Sequence, residues 1–416
     1  MQLNDLEKRM IDGEFGEPRR LALEQQVTVG RFFDASDFVP VTQAHVMADG
    51  EAVGEAGVQM LERCAAASPG HRKVMIPTIT DPRGVDPSAC SWLDQPEHAP
   101  EREGRIVRAF EAMGVLLTNT CINYQVVIPP TRGEHLAMGD TGSTIYCNGV
   151  LGARSNFEGG VAAFWAGLTG RVPRYGMHLS QRRLATRHFR LEEGFRLEDL
   201  ADWGALGGLI GRRMRNYFEV PLISGAGPTP GSDALKHFGA ALASYGSTPM
   251  FHIEGITPDA ATLDQATGGR PVEAEHLRRS DLDAFYDSFR KDGDHVDVVV
   301  FAAPQLSLYE MQLVAGLLEG RKVKEHVAVL LTAPPEVVRA AERMGLRAVI
   351  EAAGARILEG VCFYQMYARE MGEMMGWKRL LTNSAKLANI IQGYGYEPVL
   401  QPTTRCIEAA IAGRLA

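Results

Sequence analysis

The feature that most limits the fold of this chain is a strand–turn–helix unit that recurs through its last third. Residues 296–301 are a short β-branched run, typical of a buried strand, and further strands are predicted at residues 327–331, 356–361 and 379–381. Strands that alternate with helices predict a parallel sheet with right-handed crossovers. We therefore expect an α/β fold in which helices flank parallel sheets.

The helix after the first of these strands has a recognisable start. Ser307 and Glu310 form the S-x-x-E pattern of a capping box, in which each side chain binds the backbone N–H of the other residue. The helix is predicted to continue to Gly320.

Polar or reactive side chains follow four of the predicted strands. They are Gln305, Thr332, Cys362 and Asn383. Since ligands of open parallel sheets bind beyond the carboxyl ends of the strands, we expect these side chains to meet at one edge of the sheet and to mark a functional site.

The overall charge argues against two classes of partner. The chain has 43 Lys and Arg against 51 Asp and Glu, a net charge of −8, whereas nucleic acids and anionic membranes attract a basic surface. No apolar run reaches the ~18 residues of a membrane span, and the charged N-terminus lacks the pattern of a signal peptide. We expect a cytoplasmic protein that binds neither nucleic acid nor membrane.

The polar, turn-rich residues 263–294 are interpreted as a connection that carries one helix. This interpretation predicts N-terminal α/β lobes over residues 1–285 and a C-terminal α/β lobe over residues 286–416.

The six cysteines include no CxxC pair, and in a chain of 416 residues they indicate neither a disulfide framework nor a zinc ribbon.

Several segments carry candidate binding groups. Residues 223–236 are a glycine-rich loop that opens a helix, where Ser232 and Lys236 are candidates for an anion site, although a plain tight turn fits the same residues. The spacing matches neither common nucleotide-binding loop. Arg154, close to Asn156, is a candidate carboxylate clamp or a solvated surface residue.

Two histidines are candidates for proton transfer. His252 lies near the end of an apolar strand that leads to Thr257, and His178 ends a polar segment that begins at Gly170. A lone histidine in the position of His252 is more often structural than catalytic.

Taken together and in order, these segments resemble the large subunit of the aconitase X family. The segments that carry the resemblance are residues 43–45, 74–80, 121–124, 151–156, 170–178, 233–236, 251–258, 304–310, Cys362 and residues 382–386. The resemblance implies an aconitase-like, multi-lobed fold of α/β domains with a swivelling small domain, which is either fused or a separate subunit. It also implies a hydro-lyase that removes water from a small hydroxy-carboxylate, such as cis-3-hydroxy-L-proline or mevalonate 5-phosphate.

Members of the family typically hold an iron–sulfur cluster with three cysteines, and this chain departs from that pattern. Cys121 and Cys362 match two of the ligands, but the family's Gly-Cys-Pro-His stretch reads Ala-Ala-Pro-Gln at residues 302–305. Ala303 replaces the middle cysteine and Gln305 the histidine. We therefore predict no three-cysteine cluster, and either a mononuclear ion, such as iron, at Cys121 and Cys362 or two unliganded thiols.

Dehydration of a hydroxy-carboxylate needs a base, an acid or metal that takes the hydroxide, and a clamp for the carboxylate. The candidate catalytic residues are Asp140, His178, His252, Ser384 and Lys386. The candidate substrate-binding residues are Arg154, Asn156, Ser232, Lys236, Thr257 and Asn383. The site is expected where Cys121, Gln305, Cys362 and Asn383 meet Arg154 and the loop at residues 224–236.

The resemblance also predicts a separate small swivel subunit as a partner. An open polar cleft beside an exposed apolar patch should then be present on this chain. Two alternatives to a hydro-lyase remain: a diverged isomerase or lyase without iron–sulfur chemistry, and a non-catalytic subunit.

Overall fold

The computed structural model describes residues 1–225 and 229–415 and contains three α/β lobes. In the first lobe, β2 is paired in parallel with β3 and β4, and β1 and β5 form a small antiparallel sheet. Its strands are β1 (Phe38–Pro40), β2 (Ala44–Val46), β3 (Thr78–Thr80), β4 (Ala137–Met138) and β5 (Arg171–Pro173). Its helices are α1 (Asp5–Ile11), α2 (Glu17–Phe32), α3 (Gly50–Ala65), α4 (Pro69–Arg72), α5 (Ala99–Met113), α6 (Asn123–Val126), α7 (Thr141–Gly149) and α8 (Ala162–Thr169).

The second lobe is a parallel sheet of four strands in the order β8-β7-β6-β9. Its strands are β6 (Arg187–Leu191), β7 (Pro221–Ser224), β8 (His252–Ile253) and β9 (Ala274–Leu277), and its helices are α9 (Leu200–Gly211), α10 (Ser232–Gly246), α11 (Leu263–Thr267) and α12 (Arg279–Asp287). Helices α9 and α10 pack closely because Gly207 lacks a β-carbon, which would lie 2.2 Å from the carbonyl oxygen of Phe238. This contact fixes α10 against the core.

The third lobe is a parallel sheet of five strands in the order β12-β11-β10-β13-β14. Its strands are β10 (Val298–Phe301), β11 (Ala328–Ala333), β12 (Arg356–Glu359), β13 (Arg379–Thr382) and β14 (Glu397–Leu400). Its helices are α13 (Leu308–Leu318), α14 (Pro335–Arg343), α15 (Leu346–Ala352), α16 (Ala368–Met375), α17 (Ala385–Ile390) and α18 (Thr403–Ala412). Every residue of β10 is buried, as expected for a central parallel strand covered on both faces.

The α/β prediction is confirmed, and so is the capping box at Ser307 and Glu310, which opens α13. The interpretation of residues 263–294 as a connection with one helix is wrong. That stretch contains α11, β9 and α12, and β9 pairs with β6 as an edge strand of the second sheet. Its polarity reflects the half-buried position of β9 rather than a linker. The predicted lobe boundary between residues 285 and 286 stays a prediction.

Residues 226–228 of the predicted glycine-rich loop lie outside the described residues. Within the described ranges, no helix combines the length and the apolar character that a membrane crossing requires. The cytoplasmic location stays a prediction.

Candidate active site

Three segments from two lobes meet around the side chain of Gln305, which is fully buried. Its Oε1 accepts a hydrogen bond from the backbone N–H of Cys121 at 3.2 Å, and its Nε2 donates to the carbonyl oxygens of Asn119 at 3.2 Å and Val361 at 3.0 Å. Its backbone N–H donates to the sulfur of Cys121 at 3.4 Å. The neighbouring thiol of Cys362, together with burial, raises the pKa of Cys121. The segments that carry Cys121, Gln305 and Cys362 therefore converge, with Cys121 in the irregular stretch between α5 and α6 and the other two after β10 and β12.

A buried ion pair between Asp140 and Lys386 lies beside the two thiols. Asp140 caps α7 by accepting from the N–H of Ser143, and its other carboxylate oxygen is 3.1 Å from Nζ of Lys386 in the first turn of α17. Burial alone would raise the pKa of Asp140, but the ammonium of Lys386 and the capping bond hold it below its usual value. Burial alone would lower the pKa of Lys386, but Asp140 and the thiols raise it. Both groups are therefore charged at neutral pH.

Asp81, which sequence reasoning missed, is a second buried carboxyl group at this site. It directly follows β3, and its Oδ2 accepts from the side-chain amide of Gln365 at 3.0 Å, which also donates to Asp49 at 3.2 Å. Burial, and then the negative charge of Asp140, raise the pKa of Asp81 well above its usual value. Asp81 therefore holds a proton under conditions in which Asp140 is ionised.

The remaining oxygen of Asp81 faces a neutral histidine. Nε2 of His45 lies 3.5 Å from Oδ1 of Asp81 but only 2.8 Å from the carbonyl oxygen of Thr120, so the N–H of His45 donates to Thr120. Burial lowers the pKa of His45, which keeps the ring uncharged. Within the described part of the chain, Oδ1 of Asp81 has no hydrogen-bond partner. Because Oδ2 already accepts from Gln365, Oδ1 is the carboxyl oxygen of Asp81 that is free to carry a proton.

Two predicted site residues follow β13, and one of them, Ser384, supports this arrangement. Ser384 caps α17 by accepting from the N–H of Leu387 at 3.1 Å, and its hydroxyl donates to the carbonyl oxygen of Ala303 at 2.5 Å. Asn383 instead turns toward Thr403, to whose hydroxyl its amide donates at 2.9 Å. Ser384 therefore positions Lys386, whereas the amide of Asn383 is used in a contact with α18.

Arg154, Asn156 and His178 form a separate group at two short 3-10 turns, Gly176–His178 and Ser180–Arg182. The guanidinium of Arg154 donates to the carbonyl oxygen of His178 at 3.1 Å and to the hydroxyl of Ser180 at 3.0 Å. The amide of Asn156 accepts from the N–H of Met177 at 2.9 Å. Among the described residues, no hydrogen bond or ion pair joins this group to Asp140 or Lys386, which pair with each other.

His178 belongs to a pair of uncharged histidines. Its Nδ1 lies 2.9 Å from Nδ1 of His135, so one ring donates to the other. Burial and the nearby positive charges of arginines lower the pKa of His135 to about 4 and that of His178 to about 3. Neither ring is charged at neutral pH.

The candidate site residues in the second lobe form hydrogen bonds with other residues of the fold. His252 donates from Nε2 to the carbonyl oxygen of Arg183 at 2.7 Å, and the hydroxyl of Thr257 accepts from the N–H of Ile253 at 3.0 Å. Ser232 is exposed at the start of α10, where its hydroxyl is 2.8 Å from that of Tyr146.

Lys236 is fully buried and held by two carboxylates. Its Nζ is paired with Glu310 and lies 3.2 Å from Asp233, and it donates to the backbone carbonyl of Gln305 at 3.2 Å. The side chain of Lys236 therefore holds the backbone of Gln305 in place and does not extend into a cleft. Roles in substrate binding for Lys236, Ser232, Thr257, Asn383, Arg154 and Asn156, and in catalysis for His178 and His252, stay predictions.

The donor groups at this site do not fit the three-thiolate cluster that the resemblance implies. Cys121 and Cys362 provide two sulfurs, but Ala303 has no donor atom and the amide of Gln305 is hydrogen-bonded to three backbone groups. Over residues 1–225 and 229–415, no three His, Cys, Asp or Glu side chains are arranged to hold a metal ion.

Comparison with known proteins relates this architecture to one family. Models of the aconitase X first, second and third domains match residues 1–181, 185–287 and 296–412. The phosphomevalonate dehydratase large subunit of Methanothermobacter thermautotrophicus is 34% identical over 395 residues, which are 94% of this chain and 94% of that protein. The cis-3-hydroxy-L-proline dehydratase of Pseudomonas aeruginosa is 31% identical over 419 residues, which are 99% of this chain and 70% of that protein.

The fold agrees with a solved structure over the same length. The crystal structure of Thermococcus kodakaraensis aconitase X in its holo-form matches with a TM-score of 0.87 at 27% identity, and the match covers 99% of this chain and 100% of that one. The aconitase-like architecture predicted from the sequence is thus confirmed. The relatives are dehydratases, which are hydro-lyases, as the sequence predicted. The chain belongs to the aconitase X family.

Proposed function

We propose that this chain is the catalytic subunit of a dehydratase that removes water from a small hydroxy-carboxylate. Its relatives are named for phosphomevalonate and for cis-3-hydroxy-L-proline, and each of these molecules carries a hydroxyl group and a carboxylate. The observation that carries the proposal is the pair of buried carboxyl groups, Asp140 and Asp81, whose pKa values are moved in opposite directions beside Lys386. One environment favours a base and the other an acid, as elimination of water requires.

The three side chains divide the reaction between them. The ammonium of Lys386 binds the substrate carboxylate and stabilises the negative charge that develops on it. The carboxylate of Asp140 accepts the proton from the carbon next to that carboxylate. The carbon–oxygen bond then breaks as the hydroxyl group takes the proton from Oδ1 of Asp81 and leaves as water. Transfer of a proton from Asp140 back to Asp81 through solvent restores the starting state.

A small swivel subunit completes the proposed enzyme. The relatives from Methanothermobacter thermautotrophicus and Thermococcus kodakarensis are named large subunits, which supports a smaller partner for this chain. The exposed apolar surface of α13 supports it as well. A groove of about 460 Å³ on that helix is lined by Tyr309, Gln312, Leu313, Gly316 and Leu317. Helix α13 begins three residues after Gln305, so a partner seated there would reach the site.

The test is a turnover assay of the chain purified together with its small subunit. Phosphomevalonate and cis-3-hydroxy-L-proline are offered separately, and products are identified by a mass lower by one water and by absorbance of the new double bond. Asp140→Asn serves as the inactive control. Turnover of either compound that disappears in Asp140→Asn supports the proposal, and conversion of neither compound by the assembled pair contradicts it.

A second candidate function follows from the two positions, 303 and 305, at which this chain differs from the family pattern. A site without a third thiolate also suits an isomerase or another lyase that uses the same charged pair. The same assay separates the possibilities, because an isomerase yields a product of unchanged mass. A non-catalytic subunit would show no chemistry with either substrate while still binding its partner.

A further inference from the structure

We propose that the side chain of Gln305 takes the place of the iron–sulfur cluster in this chain, and that Cys121 and Cys362 stay free thiols. The inference rests on the family assignment and on the contacts of Gln305. It does not depend on which hydroxy acid is the substrate.

The amide of Gln305 joins the same segments that a shared cluster would hold together. Its Oε1 accepts from the backbone N–H of Cys121 in the first lobe. Its Nε2 donates to the carbonyl oxygens of Asn119 in the first lobe and Val361 in the third. Both N–H groups of the amide and its carbonyl oxygen are therefore used. The second lone pair of Oε1 accepts from the thiol of Cys121, whose sulfur lies 3.9 Å away, so the fully buried amide is a stable crosslink with no free lone pair directed at a metal.

The backbone of Gln305 is fixed as firmly as its side chain. Its N–H donates to the sulfur of Cys121, and its carbonyl oxygen accepts from Nζ of Lys236 in the second lobe. Residues from all three lobes therefore bind this single residue. An inserted cluster would have to displace the amide and break these contacts with no third sulfur in return.

The other four cysteines are committed to different parts of the fold. Cys64 lies on the buried face of α3, Cys147 lies in the core between the first two lobes, and Cys406 lies in the core of the third lobe. Cys90 packs near Val85, Ala99 and Tyr367. None of these thiols belongs, with Cys121 and Cys362, to a three-ligand group among the described residues. Soft thiolates select iron–sulfur chemistry, and two of them are too few for a cluster of this kind.

The first experiment measures metal in the protein as it is produced. The chain, with its small subunit, is purified without oxygen and then incubated with iron and sulfide, and iron, acid-labile sulfide and visible absorbance are measured. We expect no stoichiometric iron and sulfide before or after incubation. Two or more irons with matching sulfide per chain would overturn the proposal, whatever the substrate proves to be.

Restoring the family residues tests the two positions directly. The double variant Ala303→Cys with Gln305→His should take up iron and sulfide under the same conditions, whereas Gln305→His alone should not. Uptake by Gln305→His alone, or failure of the double variant to take up a cluster, would contradict the assignment of cluster exclusion to these residues.

The crosslink itself is tested by thiol reactivity. Gln305→Leu keeps the approximate size of the side chain but removes its hydrogen bonds, so alkylation of Cys121 and Cys362 by iodoacetamide in the native protein should rise about tenfold. The matched control is Gln26→Leu, because Gln26 is another buried glutamine that bridges backbone and side-chain groups in the first lobe. Unchanged reactivity in Gln305→Leu, or an equal rise in Gln26→Leu, would refute the crosslink.

Discussion

At the scale of single residues, the candidate site is organised by one buried lysine and two buried carboxyl groups. Lys386 pairs with ionised Asp140, while Asp81, whose pKa is raised by burial and by the charge of Asp140, keeps its proton. Burial strengthens each electrostatic interaction because little water is present to screen it. The same burial makes each group sensitive to the loss of another, and two predictions follow from this coupling.

Replacement Lys386→Met should lower kcat/KM by about 100-fold or more, because it removes the positive charge that binds and polarises the substrate carboxylate. It should also destabilise the fold by about 3 kcal/mol, since Asp140 is left buried without its partner. The double variant Lys386→Met with Asp140→Asn separates the two effects: stability should recover while activity should not. The control is Lys378→Met, whose ammonium is exposed and paired with Glu397. Wild-type kinetics in Lys386→Met would remove this lysine from the site.

Replacement Asp81→Asn should lower kcat by about 100-fold, because it removes the proton donor while an amide oxygen still accepts from Gln365. The raised pKa of Asp81 means that its acid form persists above the usual range for aspartate, and wild-type activity should fall as the pH rises through that pKa. The variant should lose this decline. Exposed Asp94 provides the control Asp94→Asn. A basic limb that is unchanged in Asp81→Asn would show that another group donates the proton.

At the scale of elements, the start of α13 joins the second and third lobes. Glu310 closes the capping box of this helix with Ser307, and its carboxylate also contacts Lys236 and His237 on α10. Burial opposes ionisation of Glu310, but Lys236 and His237 together lower its pKa to about 2. One carboxylate thus caps a helix and pairs two lobes.

Replacement Glu310→Gln should reduce the free energy of unfolding by about 3 kcal/mol, because it leaves buried Lys236 with less compensating charge. Since the folded pKa of Glu310 lies below the unfolded value of 4.5, its contribution is present above pH 4.5 and is lost as the pH falls toward 2. Urea unfolding across this range should therefore show the difference between variant and wild type narrowing in acid. The control Glu336→Gln breaks an exposed pair with Arg339 and should change stability by less than about 0.5 kcal/mol. A difference that is constant with pH would contradict this account.

The elements of the third lobe could be predicted from the sequence because their signals are local. β-branched runs, a capping box and alternating strands and helices depend on residues a few positions apart. Residues 263–294 were interpreted wrongly because the local sequence was the only signal used. β9 is a half-buried edge strand, and its polar composition resembles that of a loop. Pairing with β6, across more than 80 residues of sequence, decides its structure.

The candidate site was predictable only where residues follow strands or match the family. Cys121, Gln305 and Cys362 were expected together on that ground, and the structure brings them together. Asp81 also ends a strand, and that signal could have identified it. The local sequence could not show which groups pair with a charged side chain. Lys236 has the sequence context of an anion clamp, yet its charge is already balanced by Asp233 and Glu310.

At the scale of the whole molecule, the contacts of Gln305 place the candidate site where three lobes meet. The first lobe supplies Cys121 and Asp140, the third supplies Gln305 and Lys386, and α10 of the second supports them through Lys236. Residues so far apart in the sequence can act together only if the lobes keep a fixed arrangement. A partner that closes over this junction would therefore be expected to contact an element adjacent to it, and α13 is such an element.

The exposed face of α13 should be the surface that binds the proposed small subunit. The side chain of Tyr309 is 78% exposed and that of Leu313 42% exposed, which is unusual for neighbouring apolar groups on one helix face unless a partner covers them. The double variant Tyr309→Ser with Leu313→Ser should weaken association by at least about tenfold, because buried tyrosines contribute strongly to interfaces. Its own unfolding should change by less than about 0.5 kcal/mol, since both side chains face solvent in the isolated chain. The matched control is Phe32→Ser, which removes an aromatic residue that is 79% exposed on α2. Association is measured by titrating the small subunit against each variant, and an equal loss in Phe32→Ser, or none in the double variant, would place the partner elsewhere.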